Sequence, residues 1–541
     1  MLKLFLFISF FVFTPNVIFA QVDSPPYQPP GNETKPPTDT FSFDIGLNKY
    51  NGDGFLYFNP KFNMDFDNWG FSLQIPLNFL AYDKDPKYPK SSLGMLRPGD
   101  YNTREDYLKL INFVWFGKYG QYKPGKITTS IYVGKMFNGY IGHGTIINRY
   151  VNNQRIDYYK VGIMADINTD YGGAQVFTNS ISDREVNAGR GYIRPYGAVM
   201  GIVNLIRGKS SASALVLPGN VLDEAGRKSV LEEAGENDKE TRTIIEEDPK
   251  TGELTKTEKE VPKKSESLKE PDSGHPMDTI WNRFAIGATA AYDGKAPYEL
   301  DFDTTGNLKY TNDDQPQVKT TKRVYIQGYD AEFKFLSLDW LELTAYYDFN
   351  KFRDIPNAYG RHYGAIFKLG NRKINLTVRP EYRKMSSSYM PMYFDSFYEI
   401  ERFQSSLEAD FPTTKYQYLR NLRPDDPEIR GYYHTAILNI YSIGFELNYE
   451  DYEGKDNSRI FVGAYIPILN LVRISGFYIK KGFDRSAEAF KVDERSQGVG
   501  EIAFTLGPIM LKLQNRRRWI YNQNENRYDA RDEQYVLFSG G

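Results

Sequence analysis

The sequence predicts an all-β fold: a single large closed antiparallel transmembrane β-barrel of about 16–20 strands, with short periplasmic turns and long extracellular loops. Three observations predict it. Apolar and polar residues alternate with a period of two along segment after segment. No stretch beyond the N-terminal segment approaches the roughly 18–20 apolar residues of a spanning helix, and the best candidate, Gly197–Ile206, is far too short. Tight turns and long connections take turns along the chain, as they do when strands cross between the two ends of one wall.

Composition is compatible with that class and removes others. A chain of 541 residues makes two or three ordinary domains or one large barrel. The formal charge of -2 gives no ground for nucleic acid as a partner. The mean hydropathy of -0.55 looks soluble, but two faces of opposite character cancel in an average. Aromatic residues make up 15% of the chain, with 42 Tyr and 36 Phe, which suits strands and membrane–water interfaces. The chain has no Cys, which excludes disulfides, thiolate metal sites, Cys nucleophiles and lipoprotein anchoring.

The N-terminus reads as an address. Residues 1–20 have a basic start at Lys3, an apolar stretch from Leu4 to Phe13 and a small exit residue, Ala20, after which a secretory signal peptide would be cleaved. An N-terminal anchor is the alternative, opposed by the short apolar stretch and by Pro15. Residues 21–40 hold Pro25, Pro26, Pro29, Pro30, Pro36 and Pro37 and read as an extended, disordered leader.

From there the alternation begins. Phe41, Phe43, Ile45 and Leu47 share one face, against Ser42, Asp44, Gly46 and Asn48, and the turn Asn51-Gly52-Asp53-Gly54 follows. Leu56, Phe58, Phe62, Met64 and Phe66 then oppose Tyr57, Asn59, Lys61, Asn63 and Asp65, and Phe71, Leu73, Ile75, Leu77 and Phe79 oppose Ser72, Gln74 and Asn78. Later segments repeat the pattern, for example Leu341, Leu343, Ala345, Tyr347 and Phe349 against Glu342, Thr344, Tyr346 and Asp348. Segments of about ten residues match what a tilted strand needs to cross a bilayer. The alternation is faintest in 173–179, 431–438 and 533–539.

A soluble β-sandwich shares this periodicity. Two features oppose it: charges sit deep within strands, and the connections sort by length. Tight ones are Asp67–Gly70, Asn168–Asp170, Ser337–Trp340, Gly370–Arg372 and Gly507-Pro508; long ones are 82–104, 137–157, 293–322, 384–430 and 480–497. In this pattern residues 41–541 resemble Gram-negative porin-like outer-membrane barrels. The resemblance implies outer-membrane lipid, lipopolysaccharide and the barrel-assembly machinery as partners, and leaves a homo-oligomer open. The C-terminus departs from it: Val536, Leu537 and Phe538 resemble the usual aromatic-ended last strand, but Ser539-Gly540-Gly541 follow. Residues 208–280, rich in Ser, Lys and Glu without sustained period, read as a charged disordered insertion, which strand parity puts on the periplasmic side.

Chemistry is sought on the inward face. Arg190 and Arg194 share a face of their strand, as do Arg379, Glu381 and Arg383. Asp330, Glu332 and Lys334 share another, as do Glu342 and Asp348. In a barrel these form charged ladders that either set ion preference or pair into a network that closes the lumen. The loop Tyr140–Arg149 is apolar and Gly-bearing where a surface loop is expected; Ile141, Gly142, His143 and Gly144 form a constriction if it folds inward and a packed tip if it does not. Within 384–430, the apolar residues of Tyr393–Phe403 fit a short amphipathic helix that plugs the mouth or caps the rim. Arg516-Arg517-Arg518-Trp519 at a strand end suits acidic headgroups or sugar phosphates.

No catalytic, cofactor or metal site is assigned. The four His, at 143, 275, 362 and 434, have no partner at metal-binding spacing, and no G-x-S-x-G or phosphate-loop motif occurs. The expected function is a channel for small polar solutes with a charged lumen. The alternatives are a non-channel barrel, adhesive or structural, and an outer-membrane hydrolase using a Ser with His362 or His434.

Overall fold

In the computed structural model the structure describes residues 40–540 except 51–52, 67, 84–92, 98, 118–123, 137, 153–158, 208–238, 248–253, 263–276, 311–315, 372, 404–412, 423–425, 470, 507–508 and 523–524. The signal peptide, the Pro-rich leader and most of the insertion therefore lie outside the described residues.

The wall starts with β1 (Thr40–Tyr50), β2 (Asp53–Phe66) and β3, a crossing in two pieces, Trp69–Gln74 and Leu77–Tyr82. Pro76 lies in the break; it has no N–H to give a ladder, and the strand resumes beyond it along the same neighbour, β2. Next come β4 (Ile111–Gly117), β5 (Thr128–Gly134), β6 (Gly162–Asn168), β7 (Gly172–Thr178) and β8 (Val186–Ile193). Helix α1 (Pro195–Ile206), entered through a helix-compatible Pro, leaves the wall. Beyond it are β9 (Phe284–Leu300), β10 (Val318–Ser337), β11 (Leu341–Phe352), β12 (Tyr359–Gly370) and β13 (Ile374–Met385). The wall ends with β14 (Ile429–Ile440), β15 (Ile443–Tyr452), β16 (Ser458–Ile468), β17 (Val472–Phe483), β18 (Ser496–Leu506), β19 (Ile509–Asn522) and β20 (Arg527–Gly540). The sheet counts 21 strands. With the two pieces of β3 taken as one crossing, that is twenty spans, the even number such a wall requires.

Every neighbour is antiparallel, and β1 closes the ring on β20, in register from Phe43 opposite Gly540 to Asn48 opposite Tyr535. Gly46 permits that seam, because a Cβ there would lie 2.3 Å from the Val536 carbonyl oxygen. Closure satisfies both edges, so no row of unpaired backbone groups faces lipid. The three faintest segments are strands all the same, held by partners on both sides. The alternation predicts strands over 105–116 and 158–167, and both start later. Residues 105–110 form a 3-10 turn before β4, with the Asp106 carboxylate accepting from the Thr103 N–H and O–H at 2.8 Å, a local cap that outcompetes extension. The strand expected from residue 158 begins at Gly162.

Burial is inverted relative to a water-soluble core. Phe41, Leu47, Leu56, Phe62 and Leu447 are exposed, while Asp44, Asn59, Lys61, Asn63 and Ser72 are buried. The alternation thus turns its apolar stripe outward and its polar stripe inward. Most long connections gather at one end and most tight ones at the other; the short β1–β2 and β19–β20 links fall at the long-loop end, and the β4–β5 link and the insertion after α1 at the tight-turn end. Within it Lys239–Glu247 and Leu254–Pro262 pair as a separate two-stranded hairpin.

Candidate functional site: the loop-narrowed lumen

Two long-loop segments enter the barrel and join there. Ile147 and Phe394 form a parallel bridge, and the Met392, Phe394 and Asn148 N–H groups donate to Thr145, Ile146 and Phe394 carbonyls at 2.9, 3.2 and 3.1 Å. Ile146, Ile147, Tyr150, Phe394 and Tyr398 pack with the wall residues Phe177, Ala291, Val324 and Ile326 as one apolar cluster. Near the long-loop end the inward face is therefore apolar, a local departure from the period-two pattern made to receive the plug. The helical expectation for Tyr393–Phe403 reduces to one turn, Tyr398–Glu401.

The plug is tied to the wall by charge. His143 Nδ1 lies 2.8 Å from Asp348 and its Nε2 2.8 Å from Glu332, and its ring stacks on Tyr346 at 4.3 Å. Burial disfavours the imidazolium, but Asp348 and Glu332 outweigh that, and the pKa is raised to about 10. Thr145 donates to the other Asp348 oxygen at 2.7 Å, and the Gly142 N–H donates to Gln175 at 2.8 Å. Gly142 and Gly144 both take positive φ, which Gly tolerates, and Arg190 lies close against Gly142. Ile141 is buried beside them.

The remaining candidates fall into two zones. Toward the plug, Arg190 grips Asp330 through two bonds, and Glu381 receives Arg379 at 2.7 Å, His362 at 2.9 Å, Arg383 and the Tyr346 hydroxyl. Arg383 also reaches Glu450 at 3.1 Å. Toward the tight-turn end, Lys334 and Lys368 pair loosely with Glu342 at 3.7 and 3.4 Å, and Arg194 donates to the Thr169 carbonyl. Side-chain exposure along the inward face of β10 and β11 rises from 5% at Asp348 through 28% at Glu332 to 38% at Lys334. Along these strands the lumen opens below the plug, whereas elsewhere near the tight-turn end the inward residues Asn63, Asn439, Glu446, Ser475 and Lys512 are buried.

Sequence reasoning missed a second set of ties, because its members come from loops and strands far apart in sequence. Glu399 binds Lys160 at 2.7 Å and the Tyr150 hydroxyl; Arg402 binds Glu185 at 2.5 Å and Asp293 at 3.1 Å. Asp395 and Glu401 share Lys415 and Lys481, and Asp395 also takes Arg459 at 3.0 Å. The only signal was the interleaving of acidic residues with Tyr and Phe in 393–403. For Glu185, Asp395 and Glu401, burial raises the pKa, but the adjoining cations prevail and hold all three below the usual carboxylate range.

The plug leaves a gap on one side. A small open cleft lies between Asn148, Arg149 and Asp395 of the plug and Tyr433, Glu450 and Arg459 of the wall. Among the described residues, His143, Asp330 and Asp348 offer donor atoms within 4.8 Å of one another, a grouping invisible in sequence spacing. Arg190 on Asp330 and the carboxylates on the imidazole already balance its charges. Of the hydrolase candidates, His434 is exposed on the outer face, stacked on Tyr432, and His362 has both ring nitrogens engaged, by Glu381 and by the Tyr389 hydroxyl at 3.1 Å.

The wall, closed, apolar without and charged within, decides the class. It is a large closed antiparallel β-barrel with an apolar outer face. No family model and no curated protein matches the chain. Solved structures it resembles include Pseudomonas aeruginosa OccK5 (OpdH), 8% identical, with 92% of this chain and 96% of that one covered at a TM-score of 0.29. Others are P. aeruginosa OccK2 (OpdF) in complex with glucuronate (8%; 92% and 94%; 0.28) and the siderophore receptor PirA from Acinetobacter baumannii (7%; 94% and 81%; 0.30). At these scores nothing about solute or mechanism passes to this barrel.

Proposed function

We propose that this barrel is an outer-membrane channel for small polar solutes, its charged lumen narrowed by the loop that carries Ile141, Gly142, His143 and Gly144. The observation that carries the reading is the charged inward face, whose exposure rises along β10 and β11 away from the plug, with a cleft left open beside the plug. Paired charges favour polar solutes over apolar ones, since an apolar solute would strip hydration from them without replacing it. A second reading, a non-channel barrel with a filled mouth, is favoured by the apolar cluster that joins plug and wall.

Planar-bilayer recording of the purified barrel separates the two. A channel gives small conductance steps in the full chain, and steps at least severalfold larger once residues 142–146 are replaced by a short Gly-Ser link. Silence in both proteins refutes the channel.

A further inference from the structure

We propose that the outward rim of β12, β13 and β14, at the long-loop end, is a binding site for the phosphate groups of an outer-leaflet glycolipid. The proposal rests on the outer-membrane placement in the reading above, and not on conductance.

The strand register sets up the site. Arg361 on β12 stands opposite Lys384 on β13, and Lys384 stands opposite Arg430 on β14. Their chain neighbours His362, Arg383 and Gly431 are buried on the inward face, so all three cations lie on the outer one. Adjacent strands are about 4.8 Å apart, so the three positive charges fall within about 10 Å. Like charges directly opposite one another destabilise a sheet. Glu428 offsets part of this: its carboxylate lies 3.3 Å from Arg361 and 2.6 Å from Lys384, and takes the Tyr359 hydroxyl at 2.7 Å. Among the described residues no carboxylate pairs with the Arg430 guanidinium. Nor does one pair with Lys351 of β11, exposed opposite Tyr359 and one step nearer the loops. The carboxylates that end these rows beside β14 are engaged: Asp451 takes the Ser458 hydroxyl at 2.9 Å, and Glu453 takes the Arg430 backbone N–H at 3.1 Å. The folded wall therefore carries a surplus of positive charge on one outward patch, and a bound anion relieves it.

Height and surroundings choose the anion. Two residues nearer the middle of the wall, Tyr363, Tyr382 and Tyr432 form the next outward row in the same register, and below them the outer face is apolar. Two residues along a tilted strand rise about 5 Å along the membrane normal. With the tyrosines at the membrane–water boundary, the cations stand at headgroup level. The row faces away from the lumen, so a permeating solute does not meet it. A free anion would meet the cations alone. A lipid whose phosphates sit on a sugar headgroup above its acyl chains meets the cations, the tyrosine rings and the apolar face together, and the Arg fork suits paired phosphate oxygens. The basic run at 516–518 is a poorer site, because Arg517 is already held by Asp532 through two bonds of 2.7 Å.

Native mass spectrometry of the full-length barrel in a non-ionic detergent tests this. The probes are diphosphoryl lipid A, the same lipid stripped of its phosphates, phosphatidylethanolamine and inorganic pyrophosphate. The expected result is diphosphoryl lipid A retained at collision energies that remove the other two lipids. The retained fraction should fall at least threefold in the triple variant Arg361→Gln, Lys384→Gln, Arg430→Gln. A control with Lys455→Gln and Arg527→Gln, exposed cations at the same end but outside the row, should retain the lipid as the parent does. Heat-modifiable gel migration reports folding; should the triple variant fail to fold, Lys384→Gln and Arg430→Gln singly carry the test with the same sign. Equal loss in the control would mean diffuse attraction by charge. Equal retention of the dephosphorylated lipid or of phosphatidylethanolamine would mean that anionic phosphate is not what is held, and displacement of the lipid by pyrophosphate would make this a site for free anions. Each of these overturns the proposal. A barrel silent in bilayers that retains the lipid refutes the channel and leaves this site standing; a conducting barrel that retains none does the reverse.

Discussion

At the scale of single residues, His143 is the tie with the most consequence, because it joins the loop tip to two wall strands through both ring nitrogens. Its raised pKa fixes the sign of the effect. A cationic partner whose folded pKa lies at about 10 contributes stability that is complete below its unfolded value, about 6.5, and is lost only as pH rises through about 10. The tie is therefore intact at neutral pH. Removing it in His143→Ala leaves Asp348 buried without its cation, a change that typically costs about 3–5 kcal/mol. The loop then gains by leaving, and single-channel conductance should rise well above that of the parent barrel. Pairing the change with Asp348→Asn removes the stranded charge and should bring the conductance part of the way back. Equal conductance in all three proteins would show that His143 does not hold the constriction.

At the scale of elements, the plug is a pair of loops whose ionic ties lie partly outside the strands. Glu185, Asp395 and Glu401 have folded pKa values below the ordinary range, so their contribution is present above about pH 4 and fades as acid approaches the folded values. The plug should stay seated from about pH 8 to 5 and loosen below about pH 4, seen as a conductance increase and as new protease cuts within residues 386–403. A conductance rise already complete at pH 5 would mean that other groups hold it. The strands themselves were legible because a period of two survives in any sheet with unlike faces; even Gly172–Thr178, with Val176 out and Phe177 in, keeps it. Both plug loops stood out in the sequence, but how they are seated was not legible. Their contacts join positions more than 200 residues apart, such as Thr145 to Asp348 and Tyr150 to Glu399, and no local pattern encodes them. The inward charges were readable as a set, but which of them pair and which stay wet depends on where the loops end, and that is tertiary.

At the scale of the whole molecule, the placement in a bilayer follows from the outer face. Cross-strand tyrosines 347, 363, 382 and 432 run toward the long-loop end with ring centroids 5.0, 6.2 and 5.6 Å apart, and exposed Trp69, Trp340 and Tyr441 mark the tight-turn end. Tyr432 and Tyr441 sit nine residues apart on β14 and its turn, about 30 Å along the strand at ~3.3 Å per residue. A tilt of ~40° converts that to about 23 Å along the membrane normal, close to the ~25 Å apolar band of outer-membrane barrels. Ala436 lies midway, and its cross-strand partner Leu447 points outward, whereas Asp451, level with Tyr432, is a native outward charge where charge is tolerated. Depth therefore predicts cost. Leu447→Arg at mid-band should destabilise the barrel by about 2–4 kcal/mol, and Tyr432→Arg, in the girdle opposite the native charge of Asp451, by about 1 kcal/mol or less. Urea unfolding from lipid vesicles measures both. If the outer face instead packed against a second protein layer or faced water, the two arginines would cost alike, and the band would have no depth to report.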